Sequence, residues 1–172
     1  MQRIFSYEDG LAGVVSRNGK VGSMDLEQNI SLFNTPIVKV KFSNGKAIVP
    51  ENAEYYFIDQ WGNKLFDKKF QAAREFYNNR AIVKSNNHWG IINDKGNFVV
   101  APKFGEIKNF SGKFAAFRQD SFYGIIDLNG KTILEAEFDY INYCGKDLFR
   151  VERNNKIGYI DRRGNWIWEM QM

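Results

Sequence analysis

The chain has 172 residues, a net charge of +4 and an aromatic fraction of 16%. Its 44% hydrophobic and 26% charged residues exclude an intrinsically disordered chain, and the aromatic content favours strands over helices. The single cysteine, Cys144, excludes an intrachain disulfide and a thiolate metal cluster, and no apolar run approaches the roughly 18 residues of a membrane-spanning helix.

The N-terminal residues, MQRIFSYEDG, contain no apolar segment of the kind that marks a secretory signal. We therefore expect a cytoplasmic protein. An exported chain from which a signal segment had been removed would show the same pattern. The 24 basic and 20 acidic residues give a mild basic bias, weaker than the concentrated charge of a typical nucleic-acid binder.

Glycines recur along the chain at a step of 34 residues. Gly90, Gly124 and Gly158 follow one another at this step, as do the second glycines of the same copies, Gly96, Gly130 and Gly164. Continuing the step towards the N-terminus gives two more copies in the same register, without insertion or deletion. The sequence therefore predicts a single repeat domain over residues 1–172. Its five units span approximately 5–36, 37–70, 71–104, 105–138 and 139–172.

Taken in chain order, the first two copies are the most degenerate. The first has Val21 where the third has Trp89, and Gln28 where the later copies have a turn glycine. The second has Tyr55 at the Trp position but keeps Asp59 and the turn glycine. The third, fourth and fifth copies carry the full spacing, and the fifth ends on the aromatic run Trp166–Trp168.

Each unit predicts three antiparallel strands. The first resembles Phe114–Arg118, the second Trp89–Asn93 and the third Asn97–Val100. Polar residues join the first two strands, and an Asp-x-x-Gly turn joins the second and third. In such a turn the Asp side chain accepts from the backbone two residues on, and the glycine adopts the left-handed conformation. A link of about a dozen residues through Pro102 is expected to lead to the next unit.

The middle strands are apolar on both faces, as the adjacent pair Ile91 and Ile92 illustrates. Neighbouring residues of a strand point to opposite faces, so both faces must be covered and each unit must pack between its neighbours. We predict an all-β tandem array of five units of about 34 residues, each a three-stranded antiparallel meander. An open twisted superhelix is favoured, and a closed five-unit propeller-like ring is the alternative.

The pattern Trp89-Gly90-Ile91-Ile92, followed by Asp-x-x-Gly turns such as Asp127–Gly130 and by Pro102-x-Phe104, resembles the WG-containing repeat family of bacterial proteins. The resemblance extends from about Phe5 to Trp168. It implies a non-catalytic β-repeat module that serves as a scaffold for protein–protein interaction.

Most repeated polar and aromatic positions are interpreted as structural. Asparagine can replace aspartate in a turn but not as a general acid, and Asn93 fills one of the five acid slots. Cys144 occupies a phenylalanine slot, which predicts a buried side chain. The positions assigned to structure are Trp89, Gly90, Gly96, Tyr123, Gly124, Gly130, Gly158, Gly164, Asp59, Asp127 and Asp161.

Departures from the repeat are the candidates for binding. Trp61 occupies a turn position that is polar or charged in the other copies, and exposed aromatic residues often anchor interfaces. His88 and Phe122 fill a variable slot at the start of the second strand. Arginines near the first strand form either a solvated face or a basic docking surface. The proposed binding residues are Trp61, His88, Phe122, Arg80, Arg118 and Arg150.

We predict no catalytic residues, no metal site and no cofactor. The leading hypothesis is a scaffold for an unidentified protein partner, with an inhibitor or immunity-type role as one form. A nucleic-acid-binding surface is an alternative, motivated by the pI near 9.1 and the interleaved aromatic and basic residues, although nucleic acid and membrane are not the expected partners. A glycan-binding module that uses Trp89 and Tyr123 is a third hypothesis. The chain is expected to be a monomer or a homodimer paired through a terminal strand edge.

Overall fold

In the computed structural model, residues 3–8, 10–16, 20–33 and 41–171 are described. Within these ranges the chain forms strands and turns and no helix, and the strands assemble into five antiparallel sheets. The prediction of an all-β repeat fold is confirmed. The chain forms two compact units, Met1–Asn86 with Ile92–Phe98, and Asn87–Ile91 with Val99–Met172.

The sheets follow one another along the chain, and strand order within each sheet follows chain order. The first contains β1 (Arg3–Glu8), β2 (Leu11–Val15), β3 (Val21–Met24) and β4 (Ile30–Leu32), and the second contains β5 (Phe42–Ser43), β6 (Lys46–Glu51) and β7 (Glu54–Asp59). The third contains β8 (Ala72–Ala73), β9 (Arg80–Ser85), β10 (His88–Asn93) and β11 (Phe98–Phe104). The fourth contains β12 (Glu106–Ile107), β13 (Phe114–Gln119), β14 (Phe122–Asp127) and β15 (Thr132–Phe138). The fifth contains β16 (Tyr140–Gly145), β17 (Leu148–Arg153), β18 (Lys156–Asp161) and β19 (Trp166–Gln171).

Four sheets have one strand more than the predicted three. The extra strand comes from the expected link between units. β11 continues through Pro102 to Phe104, and β12 begins after the single residue Gly105. Proline is compatible with β11 because β11 is an edge strand, and an N–H on the open side of an edge strand has no ladder partner to lose. Part of the link is therefore strand rather than loop.

Hydrophobic clusters lie between successive sheets. Tyr56 and Ile58 of β7 belong to a cluster with Leu11, Val21 and residues of the second sheet. Phe57, between them in sequence, belongs to a different cluster with residues of the third sheet. The fourth and fifth sheets share a further cluster, which contains Phe149. The predicted burial of both faces of the middle strand is thus met at β7 by packing on two neighbouring sheets.

The turn glycines make close contacts with the preceding unit. A Cβ placed on Gly96 would lie 2.6 Å from the ring of Phe66. One placed on Gly130 would lie 2.1 Å from Cγ2 of Val100, and one on Gly164 would lie 3.7 Å from a methyl carbon of Leu134. Phe66, Val100 and Leu134 are equivalent at the 34-residue step. The third, fourth and fifth units therefore each place the turn after their middle strand over an equivalent apolar side chain of the unit before.

The glycine of the WG pair serves a different purpose. A Cβ on Gly22, Gly90 or Gly124 would lie 2.2, 2.6 or 2.5 Å from a carbonyl oxygen of the following strand of the same sheet. These distances are well below any ordinary contact, so a side chain there would force the two strands apart. The recurring glycine is needed for close approach of the strands.

Candidate functional site

The repeated carboxylates are engaged by their own turns. Oδ1 of Asp59 accepts hydrogen bonds from the backbone N–H groups of Trp61 and Asn63, both at 2.9 Å. Asp127 and Asp161 accept the equivalent pairs, and Asn93 accepts them through its amide oxygen at 3.0 Å. These acids hold the turns in shape, and an amide is an adequate substitute.

The turn of the fifth sheet predicts a pH-dependent contribution to stability. The backbone N–H of Asn165, together with the Asn165 side chain and the N–H of Arg163, lowers the pKa of Asp161. Because the folded-state pKa is lowered, the stabilisation is present above the unfolded value of about 3.9 and is lost as the pH falls through the folded value. We expect Asp161→Ala to be less stable than the wild type at pH 7 and the difference to shrink below about pH 4.

Urea denaturation of both chains at several pH values measures this difference, with Asp161→Asn as the control. The asparagine keeps the accepting oxygen, so this variant should stay close to the wild type at neutral pH. A difference between Asp161→Ala and wild type that is the same at low and neutral pH would contradict the assignment.

The first copy has Gln28 at the position of the turn glycine, and the backbone of this residue is strained. Gln28 has a φ of 65°, and its N–H donates to the carbonyl of Asp25 at 3.1 Å. A non-glycine residue in this left-handed conformation costs about 1–2 kcal/mol. We expect Gln28→Gly to relieve this strain and to raise the free energy of unfolding by about 0.5–1 kcal/mol. The gain is smaller than the strain because glycine also has more freedom in the unfolded chain, which lowers stability. Chemical denaturation measures the gain, and Gln28→Ala should show none.

The aromatic residues at the WG positions are partly buried. Trp89 and Tyr123 are both of intermediate exposure. The Tyr123 hydroxyl donates to Oε2 of Glu106 at 3.0 Å, and Nζ of Lys108 lies 4.5 Å from the ring centre. Burial and then the hydrogen bond to Glu106 raise the pKa of Tyr123. These contacts occupy the ring and hydroxyl that a glycan would need.

His88 and Phe122 are exposed at the first positions of β10 and β14. Cys144 is also exposed, so the prediction of a buried cysteine is wrong. The cause is a register shift in β16 between Tyr143 and Gly145. Tyr143 takes the inward position, 5.3 Å from the ring of Phe149, and Cys144 lies in the irregularity itself.

The arginines proposed as a basic surface have partners within the chain. Arg118 and Arg150 form ion pairs with Glu106 and Glu152. Arg80 donates to the carbonyl of Asn79 at 3.1 Å. The positive charge of the first two is therefore offset locally, which gives the nucleic-acid hypothesis little support from this surface.

Trp61 lies beside a cavity in the N-terminal compact unit. It is 62% exposed, and its position at the tip of the turn after β7 leaves the indole largely in solvent. The cavity has a volume of about 230 Å³. Ser23, Asp25, Asn29, Ser31 and Gln60 supply its polar lining, and Leu11 and Trp61 supply the apolar part. The Ser23 hydroxyl, which is almost fully buried, donates to the carbonyl of Gln60 and joins β3 to the turn after β7.

A second exposed feature lies on β19. Trp166, Ile167 and Trp168 are exposed by 41, 63 and 45%. β19 is the last strand of its sheet, and among the described residues no strand pairs with its other side. We call this set the terminal aromatic face, a name for the exposed segment of the edge strand, whose consecutive side chains do not all point to one side of the sheet. Trp168 occupies the position of Val100 and Leu134, which are 7% exposed beneath the turn of the following unit.

A family model described as WG containing repeat matches residues 57–88, 89–121 and 123–156. These three consecutive matches cover more than half of the chain. The chain belongs to the WG containing repeat family. No curated protein matches it.

Several solved structures share the fold of this WG repeat chain at low sequence identity. The computationally designed Ika8 protein has a TM-score of 0.54 at 11% identity, over 98% of this chain and 61% of that one. BamB from Moraxella catarrhalis has a TM-score of 0.53 at 13% identity, over 96% and 62% of the two chains. Kluyveromyces lactis Hsv2 has a TM-score of 0.53 at 13% identity, over 94% and 61%. The WG repeat chain thus spans about three fifths of the length of these structures.

Two absences hold for the described part of the WG repeat chain. None of its secondary structure is a helix of the length and apolarity needed to cross a membrane. The same residues contain no group of three His, Cys, Asp or Glu side chains placed to hold a metal ion.

The WG repeat pattern identified Trp61 as a departure from the family but gave no indication of the cavity. The cavity is lined by strands and a turn of the first copy and by the turn after β7 in the second, and these two copies match the repeat pattern least well. Ser23 and Ser31 stand where the other four copies have apolar or aromatic residues, whereas Asp25 belongs to the repeated turn, so no single feature of the repeat marks the lining as a set.

Proposed function

We propose that this chain is a non-catalytic β-repeat scaffold that binds protein, and that the terminal aromatic face is its docking surface. The observation that carries the proposal is the exposure of Trp168. In the units before it, the equivalent side chains Val100 and Leu134 are covered by an Asp-x-x-Gly turn. In the fifth sheet the same packing position holds a larger side chain, that of Trp168. No turn of a following unit covers it among the described residues.

Burial of this face is favourable on physical grounds. Tryptophan side chains bury large areas and are enriched among the residues that dominate binding energy. Trp166, Ile167 and Trp168 lie together on an edge strand, whose unpaired N–H and C=O groups can also pair with another strand. The surface therefore offers apolar contact and backbone pairing in one place.

A second copy of this chain is the partner that the face fits most simply. Two identical faces related by a two-fold axis each contribute the same residues to the contact, and such pairing closes at a dimer. Antiparallel pairing of two β19 strands is compatible with that symmetry. The pairing would cover on both copies the side chains that the chain itself leaves in solvent.

The mass of the protein in solution tests the proposal. Light scattering on the wild type at concentrations on the order of 10–100 µM should give twice the 20.0 kDa monomer mass. Trp168→Ser should return the mass to that of the monomer. Phe122→Ser is the matched control, because Phe122 is 43% exposed and lies outside β19, and it should leave the doubled mass unchanged.

A wild-type mass of 20.0 kDa across the whole concentration range would contradict self-association through this face. A doubled mass that Phe122→Ser abolishes and Trp168→Ser preserves would move the interface to the start of β14. Either result would overturn the assignment of the docking surface.

A further inference from the structure

The cavity beside Trp61 has the composition of a small-molecule site. It collects two hydroxyls, two amides and one carboxylate around a space of about 230 Å³. Ligand sites are typically concave and lined mostly by apolar side chains with a few convergent polar groups, whereas this cavity is mostly polar and so suits a polar ligand. Here Trp61 and Leu11 provide the apolar surface, and the remaining lining is polar.

The charge of the lining selects the ligand class. Asp25 is the one ionisable side chain among the described residues that line the cavity. Its two oxygens already accept from the N–H and the Nδ2 of Asn29, both at 2.8 Å, and each keeps a second lone pair for a ligand hydroxyl. A carboxylate repels phosphate, sulfate and carboxylate groups, and none of the described residues that line the cavity is a cation. The cavity therefore suits a neutral ligand that donates several hydrogen bonds.

Donors and acceptors are mixed in the way that a polyol requires. The Ser31 hydroxyl and the Gln60 amide each offer both a donor and an acceptor, whereas Asp25 only accepts when ionised. The hydroxyls of a sugar also donate and accept, so they can satisfy such groups without leaving a buried polar atom unpaired. The Ser23 hydrogen bond to the Gln60 carbonyl holds the two halves of the cavity together.

The indole of Trp61 completes this chemistry. The face of an aromatic ring is electron-rich and attracts the positively polarised C–H groups on the apolar face of a pyranose ring. Trp61 is fixed at its backbone by the hydrogen bond to Asp59, and its ring is 62% exposed. A flat aromatic surface beside a polar cavity can contact one ring face while the cavity binds the hydroxyls.

From these features we infer that the cavity beside Trp61 binds a neutral sugar, at the size of one monosaccharide unit. The site shares no residue with the terminal aromatic face, so different substitutions test the two proposals. It also differs from a glycan surface at the WG positions, because Tyr123 is engaged by Glu106 and Lys108.

The test is a titration of the ¹⁵N-labelled full chain with glucose, galactose, mannose and N-acetylglucosamine, followed by the tryptophan indole resonances. The chain has four tryptophans, and the Trp61 resonance is identified by its loss in Trp61→Ala. We expect at least one sugar to shift the Trp61 indole and the side-chain amides of Asn29 and Gln60, with a Kd on the order of millimolar. The other three indoles should not move.

Two variants make the test specific, with calorimetry as the readout. Trp61→Ala should abolish the binding, and Ser31→Ala should weaken it roughly fivefold, the loss of one hydrogen bond. Asn129→Ala changes the equivalent turn position of the fourth unit and should bind like the wild type. Inorganic phosphate serves as the anionic probe and should not shift the Trp61 indole.

The inference is overturned if no sugar of the panel shifts the Trp61 indole at concentrations up to about tenfold above the millimolar range expected. It is also overturned if phosphate produces the shift instead, or if binding persists unchanged in Trp61→Ala. The sugar titration and the light-scattering measurement have different readouts. A failure of one proposal can therefore be told apart from a failure of the other.

Discussion

Replacement of Gly124 by alanine is expected to lower the free energy of unfolding by about 3 kcal/mol or more. The added Cβ would lie 2.5 Å from the carbonyl oxygen of Leu134 and 2.7 Å from the ring of Phe117. The oxygen belongs to β15, which pairs with β14 at this point, so it cannot retreat without disturbing the ladder. The ring of Phe117 is buried and has no room to yield.

Gly105→Ala is the matched control for this substitution. A Cβ on Gly105 would meet its nearest atom at 3.6 Å, an ordinary contact, and its φ lies outside the left-handed region. This variant should stay within about 0.5 kcal/mol of the wild type in urea denaturation. Equal losses for the two variants would contradict the interpretation that the WG glycine is required for strand approach.

Phe57→Ala should cost about 3–5 kcal/mol of stability. Phe57 is fully buried, and its ring centre lies 4.9, 5.8 and 6.1 Å from those of Phe76, Phe66 and Phe70. Truncation removes both the buried area and these aromatic contacts and leaves a cavity between the second and third sheets. Because stability in a repeat array depends on neighbour contacts, the loss should also broaden the unfolding transition.

Phe98→Ala provides the comparison, since Phe98 is 40% exposed on an edge strand. Its truncation should cost less than about 1.5 kcal/mol because a half-exposed ring loses less buried area. Thermal and urea unfolding of both variants give the difference. A loss for Phe57→Ala no greater than that for Phe98→Ala would contradict the packing of β7 between two sheets.

The repeat and its strands could be predicted because they depend on local chemistry. The step between Gly90 and Gly124 sets the unit, and adjacent apolar residues such as Ile91 and Ile92 indicate a strand covered on both faces. The turns follow from the hydrogen-bonding capacity of aspartate and from the left-handed conformation of glycine. Each of these features is a property of a few consecutive residues.

The additional strands and the exposed cysteine could not be predicted from the same information. Pro102 normally argues against a strand, and only the edge position of β11 makes it acceptable. Cys144 follows the register of the repeat, but the irregularity in β16 gives the inward position to Tyr143. Both results depend on which strand lies beside which, and that is decided by tertiary packing.

The candidate sites divide in the same way. Trp61 was identified because a tryptophan at a turn tip contrasts with polar residues in four other copies. The cavity beside it depends on Ser23 and Gln60, which are 37 positions apart and meet only in the folded chain. The terminal aromatic face was visible as a run of apolar residues, whereas its relation to the covered side chains Val100 and Leu134 required the structure.

Chemical cross-linking at the terminal aromatic face is the most direct test of the proposed function. Ile167→Cys in a Cys144→Ser background places the only thiol on the face, at its most exposed residue. A short bismaleimide should then give a covalent dimer, and a cysteine at Lys95 in the same background should not. The contradicting result is an Ile167→Cys chain that remains monomeric although its thiol has reacted completely with the reagent. In that case the face does not join two copies, and this chain is not a self-docking scaffold.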